Sequence, residues 1–403
     1  MKQVEFNKAR SILTDHIKVI DTEILNIKDL YGRVLAEDIT ATENVPPYAR
    51  SPYDGYAFMA SDTCWVSEDR PVTLKVIENI KANQVPFNFV SSGTAIRLMT
   101  GAPIPGGADA VCKYEDTDFT DEEVTIKREY SSGENIIFAG EDIEEGTLLA
   151  KKGDVIDAGL TGTLASLGIT EARVYKRPVA GIISTGDEVI DIDEPLHPGM
   201  IRNSNRYTIR AALESIGYDT VYLGHARDET EEIKKLIING EQGCDILVST
   251  GGVSAGDYDL VPDAIKLAGY EILVRGVNIK PGMACAYGYK DDRLMLALSG
   301  NPASSLTNLQ CVCYPALKKL KGIREYEHEL IKMKIKYDCI KKSSGVRFIR
   351  GRLKIEDGTA VLDAASEQGN VVISSAIGCN VYGIVSGKGG PLKAGTMIDG
   401  FSV

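Results

Sequence analysis

Apolar positions Val4, Ala9, Ile12, Leu13 and Ile17 recur at near-helical spacing, so the chain is expected to open with an amphipathic helix over residues 4–17. A second helix is expected over 27–35, ahead of the Pro46-Pro47 break. From residue 48 to 141 the period changes. Short β-rich runs at 72–77, 110–114 and 123–127 alternate with Gly, Pro and Asp turns, the pattern of a β domain. Helical spacing returns over 157–167 and stops at Gly168, a residue suited to the position just past a helix end. The expectation is a helical linking domain (1–47 and 142–176) interrupted by a β-rich insert (48–141).

Residues 177–325 alternate apolar runs with helical ones. Strands are expected at 179–184, 220–223, 245–249, 271–274 and 294–298, with helices near 207–216, 229–238, 260–267 and 303–320. This alternation predicts an α/β domain with a parallel, doubly wound sheet. The final stretch, 326–403, turns back to β. Residues 346–355 and 359–363 flank Glu356-Asp-Gly358, and Asp-Gly suits the positive φ angles of a tight hairpin turn. A small C-terminal β-barrel or sandwich is expected.

Composition narrows what this architecture can do. A length of 403 residues calls for several domains, and 40 glycines call for many tight turns. The net charge of −12 argues against a nucleic-acid partner, whose phosphates are neutralised by Lys and Arg. An anionic substrate would then need locally placed cations or a metal ion. No run approaches the roughly 20 apolar residues that span a bilayer. The start, MKQVEFNKARSILTDHI, lacks the apolar core of a secretory leader, so a cytoplasmic protein is expected. The eight cysteines are scattered without a C-x-x-C pair, and the four histidines are not at helical pair spacing. A zinc site is not expected, and the thiols are expected to be reduced and packed in cores.

The candidate chemistry lies where strands of the 177–325 unit end. Ligands of parallel α/β sheets bind at the carboxyl ends of strands. Three such ends carry conspicuous loops: Ser184-Thr-Gly-Asp-Glu188, Ser249-Thr-Gly-Gly-Val-Ser-Ala-Gly256 and Ser299-Gly-Asn-Pro302. Gly251, Gly252 and Gly256 let backbone N–H groups approach an anion. Asn301 can cap a helix opened by Pro302, which favours an anion at that terminus. Each loop alone is an ordinary tight turn, but three on one sheet edge point to a shared pocket. Acids crowd the same edge: Asp187, Glu188, Asp228, Asp257 and Asp259. Asp228 could equally cap the next helix, with Glu231 completing a capping box. Carboxylates beside anion loops call for a divalent ion, and Mg²⁺ bridges carboxylates to phosphates. Lys280, in Ile279-Lys-Pro-Gly282, is a candidate cation, although a solvated lysine before a turn would look the same. Read locally, Asp54 in Ser51-Pro-Tyr-Asp-Gly55, Thr100-Gly-Ala102 and Gly140-Glu-Asp142 are turn residues.

Taken together, the motifs resemble those of the molybdopterin molybdenumtransferase family, which includes bacterial MoeA proteins and the C-terminal part of gephyrin. The resemblance runs along nearly the whole chain: Gly32-Arg-Val-Leu-Ala-Glu-Asp38, Ser51-Pro-Tyr-Asp-Gly-Tyr-Ala57, Thr100-Gly-Ala102, Gly140-Glu-Asp142, Leu164-Ala-Ser-Leu-Gly168, Ser184-Thr-Gly-Asp-Glu188, Thr250-Gly-Gly-Val-Ser254, Ile279-Lys-Pro-Gly282 and Gly300-Asn-Pro302. It implies an enzyme that binds adenylylated molybdopterin and molybdate, inserts the metal at the dithiolene and releases AMP with the help of Mg²⁺. It also implies an elongated homodimer of four-domain subunits. Glu188, Asp228 and Asp257 would line the pocket and hold Mg²⁺, with Asp54, Thr100 and Asp142 facing them from the partner chain. Gly186, Asp187, Thr250, Gly251, Gly252, Ser254 and the turn Ser299, Gly300, Asn301, Pro302 would hold the pterin and its phosphates, with Lys280 as a cation. Arg350, with Ser374 or Ser375, would lie near the oxyanion.

Departures from the family pattern bear on this transfer. Ser299 stands where Pro is frequent, and Met283 where Lys is frequent; residues 275–278 lack a further lysine. The spacing after Gly256 leaves Asp257 and Asp259 as alternatives. Two other functions stay open at this point: adenylylation of molybdopterin by ATP, whose enzyme is also a candidate partner, and a gephyrin-like scaffold. A tungstate-selective variant is a further alternative.

Overall fold

The structure is a computed structural model, and it describes residues 3–254, 260–338, 345–365, 367–386 and 391–403. Helix Phe6–Asp15 forms as its spacing predicts, with the Glu5 side chain accepting from Lys8 N–H at 3.1 Å. Its buried Phe6, Ala9 and Leu13 join Ile246, Leu296 and Tyr314 in one core, so the helix packs against the α/β unit. The second expected helix does not form. Strand Thr22–Asn26 is followed by a single 3-10 turn, Ile27–Asp29, and Gly32 then adopts φ +74°. That left-handed residue breaks helical continuation. The strand pairs instead with Glu171–Tyr175 over Leu30, Leu35, Ile156, Leu164 and Val174. Helix Ala158–Ser166 is capped by the Asp157 carboxylate at 2.8 Å from Leu160 N, and Gly168 at φ +65° ends it.

The β-rich insert is a six-stranded sheet in the order Ala110–Lys113, Gly55–Phe58, Thr94–Leu98, Val72–Ile80, Glu123–Ile126, Thr117–Phe119. Both faces are covered. Tyr56 and Phe58 point into one cluster, and Ala57 between them points into the other, the two-residue alternation of a pleated strand.

The α/β unit contains β1 (Val179–Thr185), β2 (Asp219–Ala226), β3 (Ile246–Thr250), β4 (Glu271–Arg275), β5 (Cys285–Lys290) and β6 (Arg293–Leu298). Their order is β2-β1-β3-β6-β5-β4. The first four are parallel, as expected, while β5 runs antiparallel to both β6 and β4. Strand β5 was not among the expected strands. Gly288 interrupts its pattern because a Cβ there would lie 2.8 Å from Ile265 Cγ2 on helix Val261–Leu267. Helices Ser204–Ser215, Thr230–Gly240 and Val261–Leu267 follow β1, β2 and β3. After β6 the chain enters helix Pro302–Asn308, passes through a π turn, Leu309–Cys313, and continues as Tyr314–Leu320.

Five strands close the C-terminal barrel. They are Ile331–Ile335, Val346–Glu356, Thr359–Ala364, Val381–Val385 and Met397–Ser402, and Val346–Glu356 pairs with both neighbours to complete the ring. The predicted hairpin turn is present, with Asp357 at φ 48° and Gly358 at φ +73°. Phe348, Tyr382 and Phe401 of the barrel belong to the core of the α/β unit. The short strand Ile279–Lys280 adds alongside Val346 and Arg347. The barrel is thus seated beside the carboxyl edge of the sheet. Among the described residues, no helix is long and apolar enough to cross a membrane.

Candidate active site

The loops that follow β1, β2, β3 and β6 enclose a cavity of about 550 Å³. From the first two come Gly186, Glu188 and Asp228. The loop after β3 supplies Thr250, Gly251, Gly252 and Ser254, and the turn after β6 supplies Ser299, Gly300, Asn301 and Pro302. These sequence-predicted residues converge because parallel strands in register deliver their ends to one edge: Ser184 pairs with Thr250, and Thr250 with Leu298.

Glycine is required where the loops touch. Gly251 holds φ +104°, and a Cβ there would lie 2.6 Å from Thr185 O; Gly252 holds φ +59°, with Val261 Cγ2 at 2.7 Å from its ideal Cβ. A Cβ on Gly300 would reach Gly251 Cα at 3.5 Å, so the two glycine turns abut. Gly251 N–H donates to Leu298 O at 3.1 Å and is therefore spent on the sheet. Asn301 occupies the cap position of helix Pro302–Asn308, but its side chain makes no capping hydrogen bond. Its N–H donates to Ser299 Oγ at 3.2 Å, so the serine that departs from the family pattern secures the turn.

The carboxylates divide by role. Glu188 and Asp228 line the cavity. Asp187 faces the backbone, its Oδ1 accepting from Asp228 N–H at 3.2 Å, and shapes the loop. The alternative role of Asp228 as a cap with Glu231 is not taken. The cap position of helix Thr230–Gly240 falls on Glu229, and Glu232 accepts from Arg227 N–H at 3.1 Å. Among the described residues, no three His, Cys, Asp or Glu side chains are gathered to hold a metal. Asp257 and its alternative Asp259 lie outside the described residues.

Residues 201–205 are cavity lining that the sequence reasoning missed. Asn203 caps helix Ser204–Ser215 by accepting from Arg206 N–H at 3.1 Å, and its Nδ2 donates to Ser184 Oγ at 2.8 Å. Asn205 Nδ2 donates to Gly300 O at 2.8 Å, tying two loops together. Arg202 contributes a cation. The signal was present, since Asn-Ser-Asn ahead of an apolar-periodic run is a helix-start pattern. Val371, which reaches the cavity from the barrel, carried no such signal.

Other predicted residues stand apart from the cavity. Asp54 and Thr100 form an exposed pair on the insert, and the two Thr100 donors, backbone first, hold the Asp54 carboxyl below its ordinary range. Asp142 borders a second cavity with Asp154 and Asp157. Lys280 is exposed on its short strand, while Ala284 of the same loop lines the main cavity. Arg350 is fully buried. Its guanidinium donates to Ser375 Oγ at 2.8 and 3.2 Å, to Gly369 O at 3.3 Å and to Thr307 Oγ1 at 3.4 Å. Burial pushes its pKa down, and among the described residues no carboxylate forms an ion pair with it. Ser374 lies in a separate depression beside Ser375 and Arg352.

Comparison with known proteins decides the family. Residues 4–168 match the MoeA N-terminal region (domain I and II), and residues 181–319 match a probable molybdopterin binding domain. A protein of Staphylococcus aureus named molybdopterin molybdenumtransferase is 34% identical over 370 residues, 91% of this chain and 88% of its own. The chain belongs to the molybdopterin molybdenumtransferase family. A Staphylococcus epidermidis member is 32% identical over 391 residues, covering 97% of this chain and 93% of its own. A crystal structure of a molybdopterin biosynthesis MoeA protein from Pyrococcus horikoshii superposes with a TM-score of 0.84 at 31% identity, covering 100% of this chain and 99% of the other. Membership of the molybdopterin molybdenumtransferase family makes the chain an enzyme of molybdenum cofactor biosynthesis, and the expected fold class is correct over its full length.

Proposed function

We propose that this chain inserts molybdate into adenylylated molybdopterin with Mg²⁺-dependent release of AMP, the last step of molybdenum cofactor biosynthesis. The observation that carries this reading is the convergence of two glycine turns, a helix start and two carboxylates on one cavity. The abutting glycines 251 and 300 draw two loop backbones together at the cavity where the pterin phosphates would lie. Arg202 and the N-terminus of the helix opened by Ser204 draw negative charge to the same end.

Phosphates would be repelled by Glu188 and Asp228 unless a cation lay between them, and two oxygen donors beside a phosphate suit Mg²⁺. Glu188 and Asp228, with Asp257, would hold that ion, which supplies charge neutralisation at the pyrophosphate. The protein itself binds and orients: the loops fix the pyrophosphate, and Lys280 attracts the oxyanion, with Arg350 as a buried charge behind the segment that carries Ser374. No covalent protein intermediate is required. A homodimer would bring Asp54, Thr100 and Asp142 of the second chain against this edge, in a cytoplasmic enzyme. The test incubates purified protein with adenylylated molybdopterin, Mg²⁺ and molybdate and follows AMP. Wild type releases AMP and Asp54→Ala does not; equal absence from both rejects the reading.

A further inference from the structure

The helix opened by Pro302 is interrupted by a π turn, a feature that recurs at functional sites. The residue just before it, Asn308, is fully buried. Its Nδ2 donates to Gly282 O at 2.7 Å, and its Oδ1 accepts from Tyr287 O–H at 2.6 Å. A carbonyl only accepts, so the orientation of this amide is fixed by its partners. Burying an amide in an apolar core is costly unless both ends are satisfied, and packing alone would be served by leucine. One end therefore grips strand β5, and the other grips the loop of residues 280–284.

That loop lies flush on the helix. Gly282 holds φ +97°, and a Cβ there would lie 2.9 Å from Ser304 O and 3.1 Å from Asn308 Cβ. The preceding helix residue, Thr307, donates to Ala303 O at 2.7 Å and accepts from Arg350 at 3.4 Å. Two successive residues thus fasten the two elements that carry Lys280 and Arg350. Neither Asn308 nor Thr307 lines the cavity.

We infer that Asn308 is a positioning residue for the oxyanion substrate, holding the loop that carries Lys280 in place relative to Arg350. This rests on the molybdate-insertion reading above. The variant Asn308→Leu keeps the branched side-chain shape and removes both grips. Its KM for molybdate rises about tenfold, the scale of one lost hydrogen-bonded contact, while KM for adenylylated molybdopterin and kcat at saturating molybdate change by less than about threefold. Gly282→Ala pushes the same loop away with Asn308 intact, produces the same split, and decides the matter if Asn308→Leu does not fold. Unchanged molybdate KM in the folded variants, or equal rises for both substrates, overturns the inference. Equilibrium dialysis with molybdate alone reads positioning without turnover. Weaker molybdate binding by the variants, with no AMP from wild type, rejects the insertion reading and keeps the positioning role.

Discussion

One oxygen of the Asp54 carboxylate accepts both the Thr100 N–H, at 2.6 Å, and the Thr100 hydroxyl, at 2.7 Å. The pair joins two turns that are distant in sequence and fixes a negative charge on the exposed face of the insert. These donors stabilise the ionised form and lower the Asp54 pKa. Thr100→Val removes the hydroxyl donor and keeps the backbone one. The Asp54 pKa, followed by carboxyl-carbon NMR, is expected to rise toward the ordinary range without reaching it. Asp54 stays ionised at neutral pH, so a fall of about tenfold in molybdate insertion is expected from the lost hydroxyl and the freed carboxylate orientation, not from lost charge. Because the pair is exposed, the melting temperature should be nearly unchanged. A pKa that stays put would show that the hydroxyl contributes nothing to the charge.

Asp54 and Glu188 supply a second test, because only Glu188 lines the α/β cavity. If the active site is shared between two chains, Asp54→Ala and Glu188→Ala damage opposite halves of it. A mixed dimer then has one site carrying both defects and one carrying neither. Co-expression of the two inactive variants is expected to restore about a quarter of wild-type turnover, since about half of the dimers are mixed and each has one intact site. Mixtures that stay inactive would place Asp54 and Glu188 in the same site of one chain, and an Asp54→Ala variant that is active alone would place Asp54 outside the chemistry.

The sheet edge was legible in the sequence because strand, glycine turn and helix start are local signals, each written within a few residues. Ser184, Gly251 and Asn301 could therefore be assigned to one edge before any contact was known. Asn203 and Asn205 carried the same kind of local signal and could have been found. Gly32 and Gly288 misled in opposite directions. The first ended a helix that apolar spacing suggested, and the second hid a strand because its missing side chain serves a neighbouring helix. Val371 and Arg350 depend on how the barrel seats against the α/β unit, a relation that no local pattern encodes. For Arg350, resemblance named the residue, but only packing shows its donors committed to Ser375, Gly369 and Thr307.

That seating makes a prediction of its own through His328. Its ring stacks on Phe401 with centroids 3.9 Å apart and planes 8° apart. Nε2 is 2.9 Å from Gln310 O, and because a carbonyl accepts, this nitrogen carries the proton of a neutral ring. Burial, followed by the nearby Arg10 and Lys318, pushes the pKa down to about 3. An unfolded histidine titrates near pH 6.5, so between the two values the unfolded chain binds the additional proton. The contribution of neutral His328 is thus fully present above pH 6.5 and declines as pH falls toward 3. His328→Phe retains an aromatic ring against Phe401 and removes the titration. Between pH 7 and about pH 5, wild type is expected to lose on the order of 2 kcal/mol more stability than the variant. Parallel stability curves from denaturant titrations at the two pH values would mean that His328 takes up its proton as readily in the fold as outside it.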